Sequence, residues 1–509
     1  MNASALHCRP LRLRAALAVG VSLVLALGAA ASSLPGAVAA THAATRARAA
    51  TSGGVWGKAE EVPGLAALNR RGFAEVTSVS CAQAGNCSAG GTYTDGSGRQ
   101  QGFIAGETGG VWGKAEEVPG LAALNRRGFA EVTSVSCARA GNCSAGGGFR
   151  DRARSLQGFV VGEAGGVWGQ AEEVPGLAAL NTGGFAEVTS VWCARAGNCS
   201  AGGFYSGHGG RIGPRQGFVV GETGGVWGQA EEVPGLAALN TGELAEVTSV
   251  SCARAGNCSA GGLYTGRSGT QAFVVGETGG VWGQAEEVPG LAALNTGGFA
   301  EVTSMSCARA GNCSAGGTYT DGSGRQQGFV AGETGGVWGK VKEVPGLAAL
   351  NTGGFVQISS MSCARAGTCS AGGLYTGRSG RRQGFVVGET GGVWGQAKQV
   401  PGLAALNTGG FAKVFTVSCA RAGNCSAGGL YTGRSGTQAF VVGETGGVWG
   451  RAEEVPGLAA LNTGGFAAVT SVSCPRAGNC SAGGIYTDRS GGQGFVVNEK
   501  GAHPSLSNA

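Results

Sequence analysis

Phe73-Ala-Glu-Val-Thr-Ser-Val-Ser-Cys81, a turn at Ala82–Gly85, and Cys87-Ser-Ala-Gly-Gly-Thr-Tyr-Thr94 are the residues on which the fold turns. The first run is rich in β-branched residues and bounded by glycine and a turn, so it predicts a strand; the second predicts its hairpin partner. Asp95-Gly-Ser-Gly98 leads into a third short run, Gln101-Gly-Phe-Ile-Ala-Gly106. Glu107-Thr-Gly-Gly110 turns again into Val111-Trp-Gly-Lys-Ala-Glu-Glu-Val118, which Pro119-Gly120 ends. Leu121-Ala-Ala-Leu-Asn125 has helical composition but room for one turn. The strands do not alternate cleanly between apolar and polar. Val76 and Val79 fall on opposite faces, so both faces of the sheet should be covered. Ser88-Ala-Gly-Gly91 suits a crowded place that admits small side chains.

This unit recurs eight times. Trp56, Trp112, Trp168, Trp227, Trp282, Trp338, Trp394 and Trp449 mark it at spacings of 55 to 59 residues; Trp192 stands outside the series. Four short strands per unit, repeated, predict an all-β fold: an eight-bladed β-propeller of four-stranded antiparallel blades. The array begins with a fourth-strand segment, Gly54–Val62, and finishes with a third-strand segment, Gln493-Gly-Phe-Val-Val497. The N-terminal strand should therefore join the last blade and close the ring. Polar capping repeats, which a linear solenoid would need, are not visible. The expected organisation is a signal peptide at 1–39, a linker at 40–52, the propeller at 53–499 and a disordered tail at 500–509, in a monomer.

Composition narrows the function. Charged residues are 13%, hydrophobic residues 42%, and glycine supplies 103 of 509 residues without a Gly-X-Y period. Such a chain buries a core and is neither collagen-like nor disordered. Arg9, Arg12 and Arg14, the apolar run Ala15–Ala31 and Ala37-Val38-Ala39 compose an export signal with its cleavage site, so no membrane attachment is expected after cleavage. The formal charge of +6 is too small on a chain this size to suggest nucleic acid.

Cys8 lies within the signal; the other sixteen of 17 cysteines form eight Cys-x5-Cys pairs. They are Cys81/Cys87, Cys137/Cys143, Cys193/Cys199, Cys252/Cys258, Cys307/Cys313, Cys363/Cys369, Cys419/Cys425 and Cys474/Cys480. Cysteines flanking a tight turn can face each other across a hairpin, and an even number in an exported chain reads as disulfides. The expected value of each bridge is local: it pins its own hairpin in register. The spacing is long for zinc, and His208 is the one histidine inside the repeats, so neither metal nor another cofactor is expected.

Glu107-Thr-Gly-Gly-Val-Trp112 resembles a degenerate Asp-box, the structural turn of sialidase-type propellers, with Glu107 at the Asp position and Ala105 replacing the Ser. The whole repeat, from Gly53 to about Asn498, resembles cysteine-bearing propeller-like repeats of secreted actinobacterial proteins. Val79-Ser-Cys81, Gly85-Asn-Cys-Ser-Ala-Gly-Gly91, Gly158-Phe-Val-Val161 and the tryptophan carry that likeness. It implies export and a propeller, and no particular activity.

Eight copies of one unit repeat the same groups around a ring, whereas a catalytic site gathers different groups once. The expectation is accordingly that this chain is not an enzyme. Departures from the repeat concentrate between the second and third strands: Arg99, Arg150, Arg152, Arg154, His208, Arg211, Arg215, Arg267, Arg325, Arg378, Arg381, Arg382, Arg434 and Arg489. They make a candidate binding rim for anionic partners such as acidic glycans or wall polymers, set against ordinary solvated loop charge. A second arginine series in the cysteine turns, from Arg139 to Arg476, belongs to the opposite face and reads as solvated. Glu116-Glu117 reads as charge guarding an outer strand edge, and Trp192 as packing. Three functions follow: a secreted binding or scaffold propeller, a structural or adhesive surface component, and a glycan-active enzyme of sialidase or lyase type.

Overall fold

The computed structural model describes residues 54–207 and 213–501, all within one compact unit. The signal, the linker, residues 502–509 of the expected tail, and His208 and Arg211 of the rim lie outside the described residues. In each repeat the expected strands form, a little longer than the pattern suggests. In the first they are Ala74–Gln83, Asn86–Thr94 and Gln100–Thr108, antiparallel and consecutive from the inside outward. The outer strand is broken. Val111–Trp112 pairs with Thr108 and Glu107, and Glu116–Glu117 pairs with Ile104 and Phe103. Between them the Ala115 N–H leaves its own sheet and donates to Pro63 O, 2.7 Å away on the preceding outer strand. Seven such bonds run round the circumference, and Ala59 N–H to Pro456 O completes the belt.

Eight sheets of this kind are present among the described residues. We number the blades by their innermost strands, from Ala74–Gln83 in blade one to Ala467–Arg476 in blade eight. The last blade takes its outer strand from the other end of the chain: Trp56 lies opposite Glu499 and Glu61 opposite Phe495. The ring therefore closes as expected.

Each blade packs on both neighbours. Phe103, Leu65, Val76 and Tyr93 of blade one lie in one buried cluster with Val496 of blade eight. The paired glycines are steric requirements. A Cβ on Gly90 would stand 2.7 Å from methyls of Val132 and Val135 in the next blade, and one on Gly91 would stand 1.9 Å from Glu75 O. Val76 and Val79 likewise both meet Gly483, so a bulge between Val76 and Ser78 puts them on one face and not on the opposite faces expected. No helix among the described residues is long and apolar enough to cross a membrane.

The disulfides form in all eight units: Cys81–Cys87, Cys137–Cys143, Cys193–Cys199, Cys252–Cys258, Cys307–Cys313, Cys363–Cys369, Cys419–Cys425 and Cys474–Cys480. In the first, the Cα atoms are 3.9 Å apart. Each bridge lies across its own hairpin, with Cys81 opposite Cys87 in register, and it also reaches beyond that hairpin. The second cysteine of each pair is buried against the preceding blade, where its sulfur meets a serine hydroxyl. Cys143 Sγ lies 3.4 Å from Ser88 Oγ, Cys258 Sγ 3.2 Å from Ser200 Oγ, and Cys480 Sγ 3.3 Å from Ser426 Oγ. Cys87, Cys199, Cys313, Cys369 and Cys425 make the same contact with Ser481, Ser144, Ser259, Ser314 and Ser370. The reason is the two-residue alternation of a strand. Cys87 turns to one neighbour and Ser88 to the other, so every blade presents a hydroxyl to the next blade's disulfide.

Candidate functional site

Three places gather polar groups: the channel wall, the channel mouth where the innermost strands begin, and the clefts between blades beside the disulfides.

The innermost strands surround a central space of about 460 Å³. An innermost strand has one unpaired edge, whose N–H groups need acceptors. Each blade supplies them to the next. Val135 N–H donates to Ser78 Oγ at 3.0 Å and Cys137 N–H to Ser80 Oγ at 2.9 Å. The last blade serves the first in the same way, through Ser471 to Val79 and Ser473 to Cys81. Trp192 interrupts this ladder. It stands where the other units have serine, so Cys252 lacks the hydroxyl that the other seven cysteine N–H groups use. Its ring borders the central space and is 40% exposed, so packing does not account for it.

At the mouth, one register position on the innermost strands carries a different set of residues around the ring: Glu75, Glu131, Glu187, Glu246, Glu301, Gln357, Lys413 and Ala468. The five carboxylates are half-buried. Burial, and then the charge on Glu131, raises Glu187, which shares a hydrogen bond with Glu131. Glu75 and Glu301 are raised by burial and by the next carboxylate along. Opposite in charge, Lys413 donates to Gln357 Oε1 at 2.9 Å and lies 4.7 Å from the Phe415 ring centre; burial lowers its pKa. This column is absent from the sequence reading, because one glutamate per strand acquires meaning once the strands share an axis.

The candidate rim surrounds this mouth, and much of it is tied to the chain itself. Arg215 pairs with Glu246 and stacks 4.6 Å from the Phe185 centre and 5.2 Å from Phe204. Arg150 lies over Phe129, and Arg382 over Phe355 and Phe411. Arg325 and Arg381 donate to backbone carbonyls of Asn351 and Asn407. The Arg99 backbone N–H is held by Asp95 Oδ1 at 2.9 Å. Arg99, Arg152, Arg154, Arg267, Arg378, Arg434 and Arg489 have exposed side chains. Behind the rim, Asn125 donates to Gln100 O and Gln101 Oε1 and accepts from Phe129 N–H, a bracket repeated by the equivalent asparagines.

On the disulfide side, the third strand of each blade carries a glutamate one residue before its end. Gly109 and Gly110, with φ of +61° and +83°, make the two-residue turn that sets Trp112 opposite Glu107. The carboxylate points between blades and is buried, as in Glu389 and Glu444, which are 8% and 7% exposed. Glu107 and Glu222 accept from serines of the preceding blade, Ser481 at 3.4 Å and Ser144 at 3.3 Å. Glu163, Glu277, Glu389, Glu444 and Glu499 each keep one oxygen without a partner. Burial pushes Glu277 up to about 6 and Glu499 up to about 7. Beside these carboxylates lie cavities of about 290 Å³ between blades three and four, 350 Å³ between five and six, and 180 Å³ between six and seven. Each is lined by the glutamate and the tryptophan of one blade and by the other blade's third strand. The outer pair Glu116-Glu117 is only partly the solvated charge expected of it: Tyr93 OH donates to Glu117 Oε2 at 2.8 Å. Where unit two has Phe149, the equivalent Glu173 keeps an unpartnered oxygen.

No protein-family model and no curated protein matches this chain. Among solved structures it is similar to a xyloglucanase from Xanthomonas campestris, with a TM-score of 0.41 and 12% identity over 76% of this chain and 53% of that one. It is similar also to a Trypanosoma rangeli sialidase, at 0.34 and 10% over 70% and 52%. A Dyadobacter fermentans protein of unknown function gives 0.38 and 10% over 88% and 100%. The chain thus spans about half the length of the two enzymes. These likenesses concern the fold.

The expectation that the chain is not an enzyme is corrected on two counts. Solved structures similar to it in fold include a xyloglucanase and sialidases. The repeat argument behind that expectation also fails physically. The eight units do bring different groups together once, at the mouth, where five glutamates, a glutamine, a lysine and an alanine occupy one position.

Proposed function

We propose that this protein is an extracellular, multivalent glycan-binding propeller whose inter-blade clefts each receive a saccharide unit. The observation that carries the reading is the recurrence, between successive blades, of an indole, a buried carboxylate with unfilled hydrogen-bonding capacity, and open space of a few hundred Å³. Saccharides suit such a cleft: their C–H faces cover apolar surface, and their polar groups supply the missing donors and acceptors. Eight disulfides support an oxidising compartment. Calorimetric titration of the intact chain with soluble oligosaccharides tests the reading. Saturable binding with more than one site per chain is expected, and a flat response across neutral, N-acetylated and acidic glycans would overturn it.

A second reading is favoured by the mouth. Glu187, which burial and the neighbouring Glu131 push up to about 8, shares a hydrogen bond with Glu131, and carboxyl pairs of this kind are used in general acid–base chemistry. Cleavage of a bound glycan, lost in Glu187→Gln, is its expected signature. Unchanged glycan after prolonged incubation removes it.

A further inference from the structure

At the junction between blades eight and one, the cleft carries a residue that the other seven lack. Where the third strand of blade eight has Asn498, the others have Gly106, Gly162, Gly221, Gly276, Gly332, Gly388 and Gly443. The Asn498 carboxamide enters the cleft and completes it. Its Nδ2 donates to Glu107 Oε1 at 2.5 Å, and its Oδ1 accepts from Trp112 Nε1 at 3.3 Å. The two partners force that orientation, since a carboxylate can only accept and an indole N–H can only donate.

At the seven glycines this group is missing and its place is open. A Cβ on Gly106, Gly221, Gly332 or Gly443 would meet nothing within 4 Å; on Gly388 it would first meet Ser370 Oγ at 3.8 Å and Glu444 Oε1 at 3.9 Å. The partners remain. Glu277, Glu389, Glu444 and Glu499, all more than nine-tenths buried, each keep Oε2 without a donor, while Oε1, the oxygen that Asn498 uses on Glu107, is the one that faces the glycine at Gly162, Gly276 and Gly388. Trp227, Trp338 and Trp449 keep Nε1 without an acceptor, and Trp449 shares its cleft with the unmatched carboxylate of Glu444. Native structures rarely leave buried groups of this kind unmatched, because each costs the desolvation that a bond would repay.

We infer that the seven glycine clefts select an N-acylamino sugar, whose amide N–H takes the carboxylate and whose amide carbonyl takes the indole, as Asn498 does in the eighth. This inference rests on the glycan-binding reading and names the group that the clefts recognise. Asn498 is then a built-in occupant of the eighth cleft.

The probes are N-acetylglucosamine, glucosamine and glucose, titrated into the full chain and three variants. N-acetylglucosamine should bind at least tenfold more tightly than glucose or glucosamine. The triple variant Gly221→Asn/Gly332→Asn/Gly388→Asn copies an arrangement the ring already contains; it should melt no lower than the parent and bind three fewer sugars per chain. Asn498→Gly should add one site. Glu444→Gln should lower the occupancy by one while leaving the other sites unchanged. Equal affinity for glucose and N-acetylglucosamine, at sites that the triple variant removes, overturns the amide selectivity and leaves glycan binding standing. Binding that neither the triple variant nor Asn498→Gly changes places the sugar elsewhere and overturns the inference. Absence of binding by all three sugars, with binding of longer glycans, overturns it also; absence for every glycan sinks both readings.

Discussion

The channel wall and the inter-blade clefts are built by the same eight junctions, yet they handle polar groups in opposite ways. At the wall, hydroxyls of one blade meet the N–H groups of the next, and the ladder runs through seven of the eight cysteine positions. In the clefts, carboxylates and indoles are buried and left short of partners. The wall is therefore structure, completed from within the chain. The cleft, a receptor in the reading proposed above, is completed at one junction by Asn498, while the equivalent glycines leave that place unfilled. Near-identical repeats do not distribute their roles among units so much as among depths within each unit.

The largest effect should come from striking what both regions stand on. Phe103 is fully buried beneath wall and cleft alike, so Phe103→Ala should cost about 3–5 kcal/mol in chemical denaturation and damage both. A loss below 1 kcal/mol would mean that the blade centres are loosely packed. Next is the bond that separates the two regions. Replacing Cys81 and Cys87 together by serine should cost about 2 kcal/mol, since the loop it closes is short; proteolysis should then begin at that hairpin.

The wall itself gives a paired test. Ser80→Ala strips the Cys137 N–H of its acceptor and should cost about 1 kcal/mol or somewhat more. Trp192→Ser should act in reverse, restoring the missing rung to Cys252 and raising the melting temperature. If both variants lower it equally, the ladder is not what holds the innermost edges. The smallest effect belongs to the cleft. Glu499→Gln removes a buried charge without countercharge, so stability at neutral pH should stay level or rise slightly. The pH dependence follows in sign. Glu277 and Glu499 hold their protons more tightly when folded, so their contribution is fully present below about pH 4.5 and is lost as pH rises through about 6 and 7. The melting temperature should be higher at pH 5 than at pH 8, by less in Glu499→Gln. Below that, Asp321, whose side-chain and backbone donors hold it near 2, opposes the trend. Sugar affinity should move the other way, strengthening as the carboxylates ionise.

Much of this was legible in the sequence. The tryptophan spacing, the Cys-x5-Cys pairs and the mismatched ends led to eight blades, to the disulfides and to ring closure. Gly90-Gly91 announced crowding because glycine pairs in a strand have few other uses. The contact of Cys143, Cys258 and Cys480 with serines of the preceding blade was not legible, since those serines lie more than fifty residues away. The clefts were hidden for the same reason. Their glutamate and tryptophan come from one blade and their glycine from another, so no local motif contains them. Glu107 looked like part of a turn, and it is; its side chain matters because of what the preceding blade presents to it. One signal was nevertheless in plain view: Asn498 alone departs from glycine at its position in the repeat. The arginine rim drew attention instead because it varies. Several of those side chains turn out to stack on phenylalanines or hold carbonyls of their own chain, which charge alone does not reveal.

The outer strand of the last blade is contributed by Val55–Glu61, the first of the described strands to be synthesised, and its partner Gly491–Lys500 is the last of them. Until Gly491–Lys500 has been made, that segment has nothing of its own to pair with, and a neighbour's final blade offers an identical edge. Slow synthesis or crowded refolding should then string molecules together, each lending its first strand to the next, while dilution favours the private knot.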